Sequence, residues 1–168
     1  MTEPFNPKKH TRTAFDCGKH KSLTNYLKLQ ATKESKIGLA KTHVHTDNEH
    51  NVLGYFTLSS SELPRESVPE ELLKKLPESY SGYPAILIGR LAITQSQQGF
   101  GLGGELMVEA IEMCINHAET IGTRAILVDP IDEDAASFYE KFMFKRLPDS
   151  NRMVLHIDHG LRAHFGLS

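Results

Sequence analysis

The chain has 168 residues, 39% hydrophobic and 24% charged, which suits one ordinary domain with a sizeable core and excludes the composition of a disordered segment. The formal charge is −2, no run approaches the roughly 18 to 20 apolar residues of a membrane helix, and the opening MTEPFNPKKHTRTAF has no apolar signal-peptide core. Two distant cysteines, Cys17 and Cys114, make neither a disulfide framework nor CxxC zinc spacing, so the expectation is a reducing, cytoplasmic setting with no membrane and no metal.

In chain order, Ser22 is a good N-cap before Leu23, Tyr26, Leu27 and Ala31, whose spacing predicts a helix over about 22–34. Lys41 to His45 and Val52 to Ser59 read as an antiparallel strand pair around the polar turn TDNEHN. Pro64, Pro69 and Pro77 punctuate an irregular stretch, with Pro69 at the first position of a short helix over EELLKKL. AILIGRLAI, 85–93, is nearly continuous in apolar residues and predicts the central strand.

The clearest helix, over about 104–121, carries Met107, Ala110, Ile111, Cys114, Ala118 and Ile121 on one stripe, with Gly122 as C-cap. A strand over 124–129, a helix over 133–142 and strands over 144–147 and 153–157 complete the order. The fold class is therefore α/β (α+β), with one mixed sheet and helices against it. Residues 1–168 are read as a single domain, 158–168 being a short C-terminal tail.

Charge is polarised along the chain. Residues 1–41 hold nine Lys and Arg against three Asp and Glu, while the remainder holds ten against eighteen. Such a segment is either a solvated helix face or a surface that meets an anion.

Chemistry points to Gln98, Gly99, Phe100, Gly101, Leu102, Gly103 and Gly104, a QxxGxG run between a buried strand and a long helix. Glycines permit backbone conformations closed to other residues, and the first helical N–H groups have no intrahelical partner. The positive end of the helix dipole completes an anion site that needs no basic side chain. No Gly-Lys-Ser/Thr follows, which excludes a Walker loop, and the spacing does not match a dinucleotide fingerprint.

RLAITQSQQGFGLGGELM resembles the acyl-CoA-binding motif of the GNAT N-acetyltransferase superfamily, and DEDAASFYEKFMF resembles its other CoA-side motif. Asp132, Ala135, Phe138, Tyr139 and Phe144 fill the places of the second motif; Asp132 stands where many members have Asn, and Met143 where most have Gly. FDCG at 15–18, GYFTLSS at 54–60 and IGRLAI at 88–93 further resemble the acetyltransferase toxins of toxin-antitoxin pairs, which acetylate the amino acid on charged tRNA.

The resemblance implies a GNAT fold, with a mostly antiparallel sheet and helices on both faces. It implies acetyl-CoA as donor, with its diphosphate on the amides from Gln98 to Gly104 and its pantetheine arm along Leu91, Ala92 and Ile93. Asp132, Ala135 and Phe138 would flank the same cofactor arm. A backbone N–H near Leu91 would stabilise the carbonyl oxygen in the transition state. Tyr139 is the expected acid for the leaving thiolate, on the expectation that a phenol near 10 donates readily to a thiolate whose thiol titrates near 8.5.

No base stands out among Glu62, His43 and His45, but an α-amine titrates near 8 and is partly neutral at physiological pH, so an aminoacyl acceptor needs little help. Arg90, with Lys28, Lys33, Lys36 and Lys41, would then contact phosphates of the tRNA. A homodimer and a small DNA-binding antitoxin are the implied partners. Acetylation of a small-molecule amine or a protein N-terminus, and a non-catalytic CoA-binding module, are the alternatives. His43 and His45 share a strand face near His50, but no carboxylate or thiol at ligand spacing completes a metal site.

Overall fold

The structure, a computed structural model, describes residues 1–148 and 150–166. Seven strands form one sheet in the order β1-β2-β3-β4-β5-β7-β6: β1 (Glu3–Pro4), β2 (Lys41–Thr46), β3 (Val52–Pro64), β4 (Gly82–Ile93), β5 (Ala125–Val128), β6 (Lys145–Arg146) and β7 (Met153–His156). The pairs β1/β2, β2/β3, β5/β7 and β6/β7 are antiparallel. The mixed, mostly antiparallel class expected from the sequence is therefore present, and the apolar run 85–93 lies on the middle strand.

By contact density the chain divides into two compact units, Met1–Ser59 with Ile88–Ala110, and Ser60–Leu87 with Ile111–Ser168. In the first, Phe15, Tyr26, Leu27, Ala31, Val44, Val52, Tyr55 and Ala92 form the core. The helical stretch there is α1 (Lys21–Asn25), a π-turn (Tyr26–Gln30) and α2 (Ala31–Lys36), so the predicted helix exists but is not uniform. The Ala31 amide bonds the Tyr26 carbonyl, five residues back, and the Leu27 carbonyl accepts from Arg12 Nη1 at 2.8 Å. An α-helix would have paired Leu27 with Ala31, so the π-turn leaves that carbonyl to the guanidinium. Ser22 is not the N-cap. His20 holds that place, and Ser22 falls within the first turn.

Strands β2 and β3 pair with Val44 opposite Tyr55 and His43 opposite Phe56. The hairpin closes because Asp47 Oδ1 accepts from the amides of Glu49 and Asn51, each at 2.9 Å. Gly54 is buried for a packing reason: a Cβ there would lie 2.7 Å from Ile93 Cδ1 and 2.8 Å from Leu106 Cδ1. Both contacts are inside the first unit.

In the second unit Leu63, Val68, Tyr83, Ala85, Ala125, Leu127, Leu147 and Val154 form the core. Its helices are α3 (Glu70–Leu73), α5 (Glu133–Glu140) and α6 (His159–His164). Pro69 is the N-cap of α3 rather than its first helical residue, and α6 places a helical turn and a half within the stretch read as a tail. The long helix α4 (Leu102–Ala118) starts two residues before its predicted position and ends three before. Ile121, expected on the buried stripe, is 56% exposed, whereas Leu106 and Ile115 are fully buried. The stripe stops at Cys114 and Ile115 because the helix stops soon after.

Gly54→Ala should cost about 1–3 kcal/mol, since the added methyl must displace Ile93 and Leu106 from a packed position. Urea unfolding followed by circular dichroism measures this as a lower midpoint with an unchanged slope.

Candidate functional site

Within the first unit, Leu91, Ala92 and Ile93 end β4, with Leu91 half-buried and the other two buried. The chain then turns through Gln95–Gln97 and the glycines before entering α4. Three bonds from residues remote in sequence fix this turn. The Thr94 amide bonds the Leu53 carbonyl at 2.9 Å, and the Gln95 amide bonds the Asp16 carbonyl at 2.8 Å. Gln98 Nε2 donates to the Cys17 carbonyl at 3.0 Å and to the Ile93 carbonyl at 2.9 Å. The side chain of Gln98 is thus a brace across the loop, and its amide bonds the Gln95 carbonyl at 3.2 Å.

Gly99 and Gly101 have φ of +83° and +91°, and nothing lies within 4 Å of where a Cβ would stand on either. Their requirement is conformational, since an L side chain at such φ costs about 1–2 kcal/mol, and the space above them is open. Gly103 and Gly104 are half-buried within the first turn of α4, and the Glu105 amide bonds the Gly101 carbonyl at 3.2 Å. The amides before Glu105 belong to the end of a 17-residue helix where no intrahelical acceptor exists. Phe100 is 79% exposed beside them. The loop, the brace and the helix end together make an open surface with amides at the positive end of a helix, the arrangement that suits a diphosphate.

Also in this unit, the Arg90 guanidinium carbon lies 3.7 Å from the centroid of the Tyr26 ring, a cation–π contact, and Tyr26 Oη donates to Glu34 Oε2 at 2.9 Å. Burial and the adjacent Glu34 raise the Tyr26 pKa, so the phenol stays neutral. Sequence reading singled out Arg90 and missed the ring beneath it. Lys28 is half-buried, and Lys33, Lys36 and Lys41 are exposed on or after α2, with Lys41 Nζ donating to the Ser35 carbonyl at 2.9 Å. Cys17 Sγ donates to the His20 carbonyl at 3.3 Å, a structural role. His43 stacks on Phe56 at 5.2 Å and burial lowers its pKa, so it is neutral at physiological pH.

The second unit holds the other motif. Asp132 caps α5 by accepting from the Ala135 amide at 2.8 Å, which explains the residue type there: an N-cap carboxylate satisfies an amide at the positive end of the helix. Ala135 and Phe138 are half-buried, and Tyr139 is buried. The Tyr139 ring stands 5.6 Å from Phe138 and 5.8 Å from Phe144, with Phe142 5.1 Å from Phe138. This aromatic cage, and next the charge of Asp129, push the Tyr139 phenol up to about 12. Asp129 itself is held by Arg152 through two bonds, of 2.8 and 2.9 Å.

That value corrects the expectation of a ready proton donor. Moving a proton from a phenol near 10 to a thiolate whose thiol titrates near 8.5 is already unfavourable, and at about 12 the gap is three to four pH units, about 5 kcal/mol. A phenol at that value keeps its proton unless the one it gives is replaced in the same step. Met143 has φ of +69° and is 55% exposed, so the turn that carries glycine in the resembled motif keeps its left-handed shape here and places a strained side chain in solvent. Glu62, a candidate base, is exposed and accepts from Ser81 Oγ at 2.9 Å.

No protein-family model matches the chain. Over 154 residues it is 32% identical to the tRNA-acetylating toxin of Mycobacterium tuberculosis (strain ATCC 25618 / H37Rv), a match that covers 92% of this chain and 90% of that protein. The chain belongs to the family of tRNA-acetylating toxins. Among solved structures, this family member resembles a Tyr-to-Phe variant of KacT at 27% identity and a TM-score of 0.89, and AtaT complexed with acetyl-methionyl-tRNAfMet at 26% identity and a TM-score of 0.89. Each match covers 98% of both chains. The GNAT fold expected from the sequence is the fold of these toxins.

Two substitutions separate conformational demand from contact. Gly101→Ala should lose about 1–2 kcal/mol through backbone strain alone, because no neighbour crowds the new methyl. Met143→Gly should gain up to about 1 kcal/mol by relieving the same kind of strain. Thermal unfolding of both variants should show shifts of opposite sign; shifts of the same sign would contradict this account.

Proposed function

We propose that the chain is an acetyl-CoA-dependent N-acetyltransferase whose acceptor is the α-amino group of an aminoacyl-tRNA. The observation that carries this reading is the open, left-handed glycine loop at the first turn of α4. The relatives with the same fold support the acceptor, one by its name and one by its bound acetyl-methionyl-tRNAfMet. When bound, acetyl-CoA supplies the thioester carbonyl and a thiolate leaving group.

In this reading the amides from Gln98 to Gly104 hold the diphosphate, with Phe100 and Leu102 framing it. The edge of β4 at Leu91, Ala92 and Ile93 hydrogen-bonds the pantetheine amides, and an N–H near Leu91 meets the carbonyl oxygen as charge grows on it. Asp132, Ala135 and Phe138 line the cofactor arm from α5, Asp132 through the cap that fixes the start of the helix. Tyr139 donates at the sulfur as the carbon–sulfur bond breaks.

Proton balance follows from the chemistry. The amine loses one proton and the thiol gains one, so Tyr139 never needs to exist as a free tyrosinate, provided the proton from nitrogen refills the phenol as its own moves to sulfur. An α-amine near pKa 8 supplies enough neutral nucleophile at pH 7.4 that no dedicated base is required. Arg90, Lys28, Lys33, Lys36 and Lys41 meet tRNA phosphates. A homodimer, a small DNA-binding antitoxin and a cytoplasmic location complete the proposal.

Release of CoA thiol should follow addition of aminoacyl-tRNA to the protein and acetyl-CoA, and not of polyamines or peptides. Release with polyamines alone would replace this reading with a metabolite enzyme. Tyr139→Phe should leave acetyl-CoA affinity within about twofold while lowering kcat about 10²- to 10⁴-fold; unchanged kcat would remove Tyr139 from the reaction. Acetylation of tRNA at subsaturating concentration should weaken steeply between 50 and 200 mM salt, since each phosphate contact releases counterions. A flat salt response would remove the lysines and Arg90 from the interface.

A further inference from the structure

A cleft of about 470 Å³ opens in the first unit between the chain after β1 and α2. One wall is made by Pro4, Phe5, Asn6 and Pro7, apolar but for Asn6; the other is made by Thr32, Ser35 and Lys36, two hydroxyl residues and a lysine. We infer that this cleft receives one nucleotide, its base against the proline and phenyl wall, its ribose and base edge at the hydroxyls and its phosphate at Lys36. The inference rests on the aminoacyl-tRNA reading above and extends it, giving Lys36 a built site rather than a general attraction.

Three observations support that class of ligand. The first is preorganisation. The Phe5 amide bonds the Thr42 carbonyl at 2.8 Å, and the Phe5 ring packs on His10, with centroids 5.9 Å apart. Arg12 ties both walls together: its guanidinium lies 5.2 Å from the Phe5 ring centroid, and its Nη1 donates to Thr32 Oγ1 at 3.1 Å and to the Leu27 carbonyl at 2.8 Å. A cleft whose walls are already fixed loses little entropy on binding.

The second is the balance of charge around it. The acids nearby are engaged internally, Glu3 by Lys9 and the buried His10, and Glu34 by Tyr26. Lys36 lines the cleft with no hydrogen bond or ion pair among the described residues, and Lys33 stands one turn before it on α2. The third is chemical mixture. A purely apolar groove would suit a hydrophobic side chain and a purely cationic one a bare phosphate, whereas apolar rings opposite hydroxyls and an ammonium match a group with a flat apolar face, hydrogen-bonding edges and an anion. The volume is ample for one such unit.

The same chemistry is offered by a nucleotide within tRNA and by a free mononucleotide, and the test distinguishes them. Fluorescence anisotropy of labelled deacylated tRNA, without acetyl-CoA, is measured on the wild type, Lys36→Gln and Ser35→Tyr, the last filling the cleft from the α2 side. Ser35→Tyr should weaken tRNA binding about tenfold with an unchanged salt slope. Lys36→Gln, an exposed substitution that cannot disturb the core, should weaken it about threefold and reduce the salt slope by about one. Both should keep wild-type circular dichroism and acetyl-CoA affinity.

tRNA affinity within twofold of wild type in Lys36→Gln, with an unchanged slope, would overturn the inference, as would wild-type affinity in a folded Ser35→Tyr. Millimolar AMP that binds the wild type while both variants keep full tRNA affinity would assign the cleft to free nucleotide and overturn its place in tRNA recognition. A wild type that binds tRNA through this cleft but never acetylates it would instead count against the proposed reaction, so the two readings fail on different measurements.

Discussion

A strand that passes into a long helix through glycine leaves the first amides of that helix without partners, and the chain must either cover them or use them. Here the covering residues are missing from the loop itself: Gly99 and Gly101 have no side chains and open space where a side chain would stand. What holds the loop is borrowed from elsewhere, from Leu53, Asp16 and Cys17 through their carbonyls, and every one of those bonds spans tens of residues. The amides are therefore held in place by the fold at no cost to their availability. That combination of a fixed frame and an open donor surface underlies the anion-binding reading.

The same economy recurs at the π-turn. Shifting the helical register at Tyr26–Gln30 detaches the Leu27 carbonyl from the ladder, and Arg12 takes it up. Arg12 in turn holds Thr32 and flanks Phe5, so a local irregularity in one helix fixes the position of the chain after β1. Arg90 rests on Tyr26 from the middle strand, its charge against a ring face and without a carboxylate partner among the described residues. A cation–π contact engages the plane of a guanidinium and leaves its N–H edge, which is what the proposed phosphate contact would use.

In the second unit the physics is that of desolvation. Phe138 and Phe144 surround Tyr139 and remove it from water, and the carboxylate of Asp129 acts in the same direction, so the phenol holds its proton more tightly than in solution. A group of this kind is a poor free acid and a good fixed hydrogen-bond donor. In the proposed reaction such a group must be coupled to a second proton, a demand that an amine nucleophile satisfies by its own stoichiometry.

Much was legible in the residues. Alternation and apolar runs located the middle strand, the hairpin at TDNEHN and the long helix, because period and turn chemistry are local properties. Glycine spacing between strand and helix marked the left-handed loop before α4 for the same reason. The residues that remained hidden are those whose role depends on partners far along the chain: Gln98 as a brace, Tyr26 beneath Arg90, Arg12 across a cleft. Ser22 looked like a cap since its type fits, yet the helix began earlier, at a boundary that the packing of Thr24, Tyr26 and Leu27 selects. Ile121 looked buried since its spacing fits, yet α4 had ended by then.

Local composition thus determined which elements form and where a long helix begins behind an open glycine loop. The tertiary structure decided what those elements do to one another: which carbonyls hold the loop, how high the Tyr139 phenol is driven and which cations are left unpaired. Those are questions of distance and dielectric between residues that the linear order does not bring together.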